Sequence, residues 1–179
     1  MFVVAGAAGT GKTTLGRALA QACGAALLDL DAMTNPLLGQ ICLLAGIPLD
    51  FDHPALRDPI RHARYRCVLD TALENIAVGR PVVLVAPFTT EISDRGAWDD
   101  AFADFEPTAL NLIWVAVPLD LARERRRSRG QPQDLAANLD GASAPVTRPV
   151  VPHLAVDGAA TTMQEVSRIL RHPARTIQT

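Results

Sequence analysis

The sequence predicts an α/β protein: a parallel sheet buried between helices on both faces. Three observations support this. Short apolar runs alternate with segments of helical periodicity along the chain. Ala, Leu and Val dominate a composition that is 49% hydrophobic but only 4% aromatic, as expected of strands covered on both sides. The chain opens on an apolar run, a glycine-rich turn and a helical segment. Its 179 residues are enough for one domain with a sizeable core.

Phe2-Val3-Val4-Ala5 reads as the first strand. Gly6-Ala7-Ala8-Gly9-Thr10-Gly11-Lys12-Thr13 follows and matches G-x-x-x-x-G-K-[ST], the phosphate-binding P-loop. Thr13 to Ala22 reads as a helix, with Leu15, Ala18, Leu19 and Ala22 on one face. Glycines let the backbone curl until successive N–H groups point into one hollow. The helix N-terminus adds unpaired N–H groups and a positive dipole end. The expected nucleotide contacts are Gly6, Ala8, Gly9, Thr10, Gly11, Lys12, Thr13 and Thr14. Lys12 reaches the β- and γ-phosphates, and the Thr13 hydroxyl ligates Mg²⁺. The bland alternative is a glycine-rich turn with an incidental lysine. It leaves unexplained why, among seventeen basic residues, the one lysine falls in this loop.

After Gly24, the run from Ala25 to Asp31 reads as strand two, ending in two acids. Side chains alternate along a strand, so Asp29 and Asp31 share a side if the extended conformation persists. Ligands of open parallel sheets bind at the carboxyl ends of strands, which places both acids near a bound triphosphate. The alternative is two turn-forming aspartates, one capping the next helix. A helix is expected from Pro36 to Ala45, stopped by Gly46. Pro48 to Pro59 reads as loop, and a long helix follows to Val78, with Gly79 beyond its end. Arg57, Arg61 and Arg64 are spaced to share a face. That face is either solvated or reads an anion.

Pro81 to Ala86 is strand three. No acid ends it, so a common Mg²⁺-coordinating position is empty and the second metal contact falls to Asp29. Gly96 to Phe105 reads as a short helix and Leu110 to Val117 as strand four. Pro118 starts a helix that becomes strongly basic through Arg123, Arg125, Arg126, Arg127 and Arg129. From Gly130 to Pro149 periodicity is weak, apart from a helical patch at Leu135 to Leu139. The expectation is a lid over residues 123–148 whose arginines neutralise charge on a transferred group, Arg123, Arg127 and Arg129 being the candidates. A solvated basic face complementing the helix dipole is the alternative. Pro152 to Val156 is strand five. Thr162-Met163-Gln164-Glu165 reads as a capping box for the last helix, and the tail 172–179 is expected to fray. No repeat or linker divides the chain, so 1–179 reads as a single domain.

Net charge −2 and a pI near 6.0 give no basic surface for nucleic acid. Cys23, Cys42 and Cys67 lack metal-ligand spacing. No apolar run approaches the twenty or so residues a membrane span needs. The expectation is a cytoplasmic protein, monomer or homodimer, without a nucleic-acid or membrane partner.

The P-loop, Asp29-x-Asp31 and the arginine-rich segment after strand four resemble small P-loop kinases of the shikimate kinase and gluconate kinase type. Leu30 to Leu37, Gly79 to Phe88 and Arg129-Gly130-x-Pro132-x-Asp134 resemble bacterial proteins labelled AAA family ATPase or ATP-binding protein. The resemblance runs nearly to Asp157. It implies a five-stranded parallel sheet of order 2-3-1-4-5 and phosphoryl transfer from ATP with Mg²⁺ to a hydroxyl of a small molecule. It implies that Asp29 holds Mg²⁺ through water and that Asp31 orients or deprotonates the acceptor. Lys12 and Arg127 would supply catalytic charge, Arg123 and Arg129 would contact ATP, and Arg57, Arg61 and Arg64 would read the acceptor with Asp31. Ala86-Pro87-Phe88 stands where shikimate kinases carry three glycines, which argues against shikimate as acceptor. Gln133 precedes the lid aspartate where the bacterial group often has arginine. Two rival readings are a resistance or toxin-type kinase acting on an antibiotic or nucleotide sugar, and a nucleotide-binding switch or ATPase without an acceptor.

Overall fold

The computed structural model describes residues 1–47, 54–129 and 148–171, with backbone alone for 54–59 and 129. The elements are β1 (Phe2–Ala5), α1 (Lys12–Cys23), β2 (Ala26–Asp29), α2 (Leu30–Ala45), α3 (Pro54–Ala77), β3 (Val82–Val85), α4 (Arg95–Ala101), β4 (Asn111–Ala116), α5 (Leu119–Arg129), β5 (Leu154–Asp157) and α6 (Thr162–Arg171). The five strands form one parallel sheet in the order β2-β3-β1-β4-β5. Val3 of β1 lies opposite Leu84 of β3 and Leu112 of β4.

Alternation along the strands divides the core into two layers. Val3, Ala5, Leu84 and Leu112 face one side, where Tyr65, Val68, Leu69 and Ala72 of α3 pack with Trp98, Phe102 and Phe105. Val4, Val83, Val85 and Val115 face the other, against Leu15 and Leu19 of α1 and Val166 and Ile169 of α6. Each Val, Leu, Ile or Phe among these side chains contributes roughly 1.5–3 kcal/mol by leaving water. Gly16 brings α1 close to the sheet: a Cβ there would stand 2.4 Å from Val85 Cγ2.

Several boundaries depart from the sequence reading. Strand two stops at Asp29, because that side chain accepts from the Asp31 and Ala32 N–H groups and caps α2. Helix α2 therefore starts at Leu30 and contains Pro36, which lies within its first two turns. Helix α3 begins at Pro54, inside the stretch read as loop. The capping box read at Thr162 to Glu165 is displaced: Thr162 is already the first residue of α6, the Glu165 N–H donates to the Thr161 carbonyl, and the Glu165 carboxylate accepts from Arg168 at 2.9 Å. The core of the expected lid (130–147), its helical patch and the tail 172–179 lie outside the described residues.

Candidate nucleotide and acceptor site

A cleft of about 880 Å³ opens at the carboxyl ends of the strands. The P-loop forms one wall. Gly6, Gly9 and Gly11 have φ values of 144°, 85° and 97°, a region that suits glycine and few other residues. Space forbids a side chain as well. A Cβ on Gly6 would lie 2.4 Å from the Val115 carbonyl oxygen, and one on Gly9 the same distance from that of Ala122. Gly11 caps α1 without a side chain, so the first-turn N–H groups are left to the cleft that Gly11, Lys12, Thr13 and Thr14 line. The Lys12 ammonium donates to the Ala7 carbonyl at 2.7 Å, and the Thr10 hydroxyl donates to the same oxygen at 2.9 Å.

Asp29 links the loop to the next element. Its Oδ2 accepts from the Thr13 hydroxyl at 2.9 Å, and Oδ1 accepts from the Asp31 and Ala32 N–H groups. The side chain is largely buried, at 7% exposure. Asp31 sits on the first turn of α2 rather than on an extended strand, yet both acids still line the cleft.

The arginines of α3 do different things. Arg64 reaches α2: its Nε donates to Thr34 Oγ1 at 2.7 Å, and one terminal nitrogen donates to Asp31 Oδ1 at 2.7 Å and Asn35 Oδ1 at 2.8 Å. Arg61 instead grips Glu91, with one nitrogen 2.8 Å from both carboxylate oxygens. Glu91 is 6% exposed, and its role was not foreseen from sequence. The two residues are thirty apart, and no local pattern links them. The side chain of Arg57 lies outside the described residues.

Helix α5 turns an unexpected face to the site. Arg125 and Ser128 line the cleft, and the Arg125 guanidinium donates to the Gly158 carbonyl at 2.9 Å. Arg125 follows Ala122 by three positions, and the Ala122 carbonyl rests against Gly9. Arg127 is exposed, and Arg123 lies 3.9 Å from Asp120 on its own helix. Among the described residues neither lines the cleft; the side chain of Arg129 is outside the description. Periodicity gave the basic helix but not which of its faces meets the loop.

This arrangement defines a P-loop protein of the small-molecule kinase-like class. Residues 1–144 match the family described as AAA domain, and the chain belongs to that family. Among solved structures it is similar to a gluconokinase from Sinorhizobium meliloti 1021, with 26% identity, 99% of this chain and 93% of that one covered, and a TM-score of 0.59. A sugar kinase from Janibacter sp. HTCC2649 shares its fold at 19% identity, covering 95% and 91% of the two chains, with a TM-score of 0.63. So does the APS kinase of Mycobacterium tuberculosis, solved in complex with AMPPNP and APS, at 18% identity, 95% coverage of each chain and a TM-score of 0.60. No curated protein matches the chain. Among the described residues no helix is long and apolar enough to cross a membrane.

Proposed function

We propose that the protein is an ATP-dependent phosphotransferase that moves the γ-phosphate to a hydroxyl of a small molecule. The observation that carries the reading is one cleft holding both a phosphate-binding loop and Asp31 on the neighbouring helix. In this reading the P-loop amides and Lys12 bind the phosphates, Lys12 leaving the Ala7 carbonyl for them. The acceptor oxygen attacks the γ-phosphorus, the bond to the β,γ-bridging oxygen breaks, and ADP departs. Asp31 takes the hydroxyl proton, and Arg64 orients its carboxylate. Phosphoryl transfer needs mainly positioning and charge neutralisation, and these groups supply both.

The Thr13 hydroxyl and the Asp29 carboxylate would hold Mg²⁺, directly or through water. A hydroxyl beside a carboxylate is a hard-oxygen pair suited to that ion. No group of three or more His, Cys, Asp or Glu gathers among the described residues, so phosphate and water would complete the shell. Bound there, the ion neutralises charge on the β- and γ-phosphates. We read residues 1–179 as one cytoplasmic domain.

The test incubates the protein with ATP, Mg²⁺ and a panel of sugars, sugar acids, nucleosides and antibiotics, and reads masses. The similarity to a gluconokinase makes gluconate a first member. One member should gain a single phosphate, and Lys12→Ala should abolish the gain while the protein stays folded. ATP loss that is indifferent to every acceptor would favour the nucleotide switch instead.

A further inference from the structure

The turn after β3 is held in a conformation that needs explaining. Phe88 has φ 50°, in the left-handed region, which is unfavourable for a non-glycine residue. Its side chain is fully buried and meets the Tyr65 ring edge-on at 5.1 Å. Its N–H donates to the Tyr65 hydroxyl at 3.0 Å. The Arg61 guanidinium lies over the same ring, 4.4 Å from its centre. Arg61 in turn is held by both carboxylate oxygens of Glu91, three residues beyond Phe88. On the other side of the turn, the Pro87 carbonyl accepts from the Gly6 N–H of the P-loop at 3.4 Å.

Ala86 and Pro87 line the cleft together with Asp31, Met33 and Asn35. Ala86 and Pro87 of the turn are therefore part of the wall of the cleft that also holds the P-loop and Asp31. Stability alone is a poor reason for the ion pair behind it, because the Arg61 side chain is still 35% exposed and a solvent-reached pair contributes little. What the pair adds is direction: it fixes the Tyr65 ring, and the Tyr65 hydroxyl fixes one backbone amide.

We propose that Glu91, acting through Arg61 and Tyr65, is a positioning residue that sets the Ala86-Pro87-Phe88 turn as the wall against which the acceptor is held for transfer. Arg61 is thereby part of the scaffold rather than a reader of the acceptor. The inference rests on the kinase reading above.

The experiment uses the full chain, ATP with Mg²⁺ and the panel member that gains phosphate. Tyr65→Phe removes only the hydroxyl and keeps the ring; Glu91→Gln removes the charge. Each should lower kcat by about ten- to a hundredfold, since small misplacements of a bound reactant cost that much. Each should raise the acceptor KM while leaving the affinity for AMPPNP unchanged. The double variant should be no worse than the poorer single one, because both act through one turn. Wild-type kcat and acceptor KM in folded Tyr65→Phe would overturn the inference and leave the kinase reading standing; this variant decides the matter if Glu91→Gln does not fold. Effects that multiply in the double variant would also overturn it. A panel in which nothing gains phosphate overturns the kinase reading and this inference with it.

Discussion

The Thr13 hydroxyl donates to Asp29 across 2.9 Å, and the other oxygen of the same carboxylate caps α2. One side chain thus joins the phosphate loop to the helix that carries Asp31. Asp29→Asn keeps the shape and presents an amide in place of one oxygen. If that amide nitrogen faces Thr13, the cap survives and the hard-oxygen pair is lost. The expected outcome is a higher Mg²⁺ requirement for ATP turnover, with thermal stability lowered by no more than ~1 kcal/mol. Activity against Mg²⁺ concentration, beside a melting curve, checks it. An unaltered Mg²⁺ curve would leave Asp29 as a cap only.

Asp31 and Arg64 should behave as a unit. Asp31→Asn should lower kcat by about a hundredfold or more, as loss of a general base does, with little change in ATP affinity. Arg64→Gln should lower kcat less, and the double variant should not fall below Asp31→Asn. Steady-state kinetics with the phosphorylated panel member tests both. Equal effects of Asp31→Asn on ATP binding and on kcat would place this carboxylate on the nucleotide instead.

The two readings of α5 separate cleanly. Arg125→Ala should weaken AMPPNP binding by about tenfold, losing a charged contact worth roughly 1.5 kcal/mol. Arg127→Ala should leave that affinity as it was, because the residue is exposed and does not line the cleft. Calorimetric titration of the two variants decides between them. The opposite pattern would mean that α5 turns when nucleotide binds.

Alkaline stability offers a test that needs no ligand. Burial first, and then the nearby Glu91 charge, push the Tyr65 phenol up to about 12. An exposed phenol ionises near 10, so the unfolded chain loses this proton first. Stability from the neutral phenol is complete below pH 10 and falls as pH rises from about 10 to about 12. The loss over that window is about 3 kcal/mol. Urea unfolding of wild type and Tyr65→Phe at several pH values isolates the effect, since only wild type carries this slope. The chain has a single tyrosine, so tyrosinate absorbance reports the same residue directly.

What the sequence made legible was local. The P-loop, its strand and its helix depend on residues within one short stretch, and the parallel sheet follows from apolar runs spaced by helices. Asp29 and Asp31 were found for a reason that only half holds. Alternation put them together, whereas a cap on α2 ends the strand between them. Arg125 was hidden among five arginines, because choosing a face of α5 requires knowing that Ala122 packs on Gly9. Glu91 was invisible for a different reason. Its partner is thirty residues away, and a lone glutamate after a strand has no periodicity to betray it.

The glycines of the phosphate loop carry one last implication. Backbone carbonyls of β4 and α5 press on Gly6 and Gly9 closely enough to exclude a methyl group. A Cβ on Gly158, beyond β5, would meet the Thr10 carbonyl oxygen at 2.1 Å. The loop is therefore braced from three elements before any nucleotide arrives. Its hollow resembles a cast mould more than a hand that closes. A small anion with no base or sugar attached should find it already shaped, so inorganic pyrophosphate alone should compete with ATP.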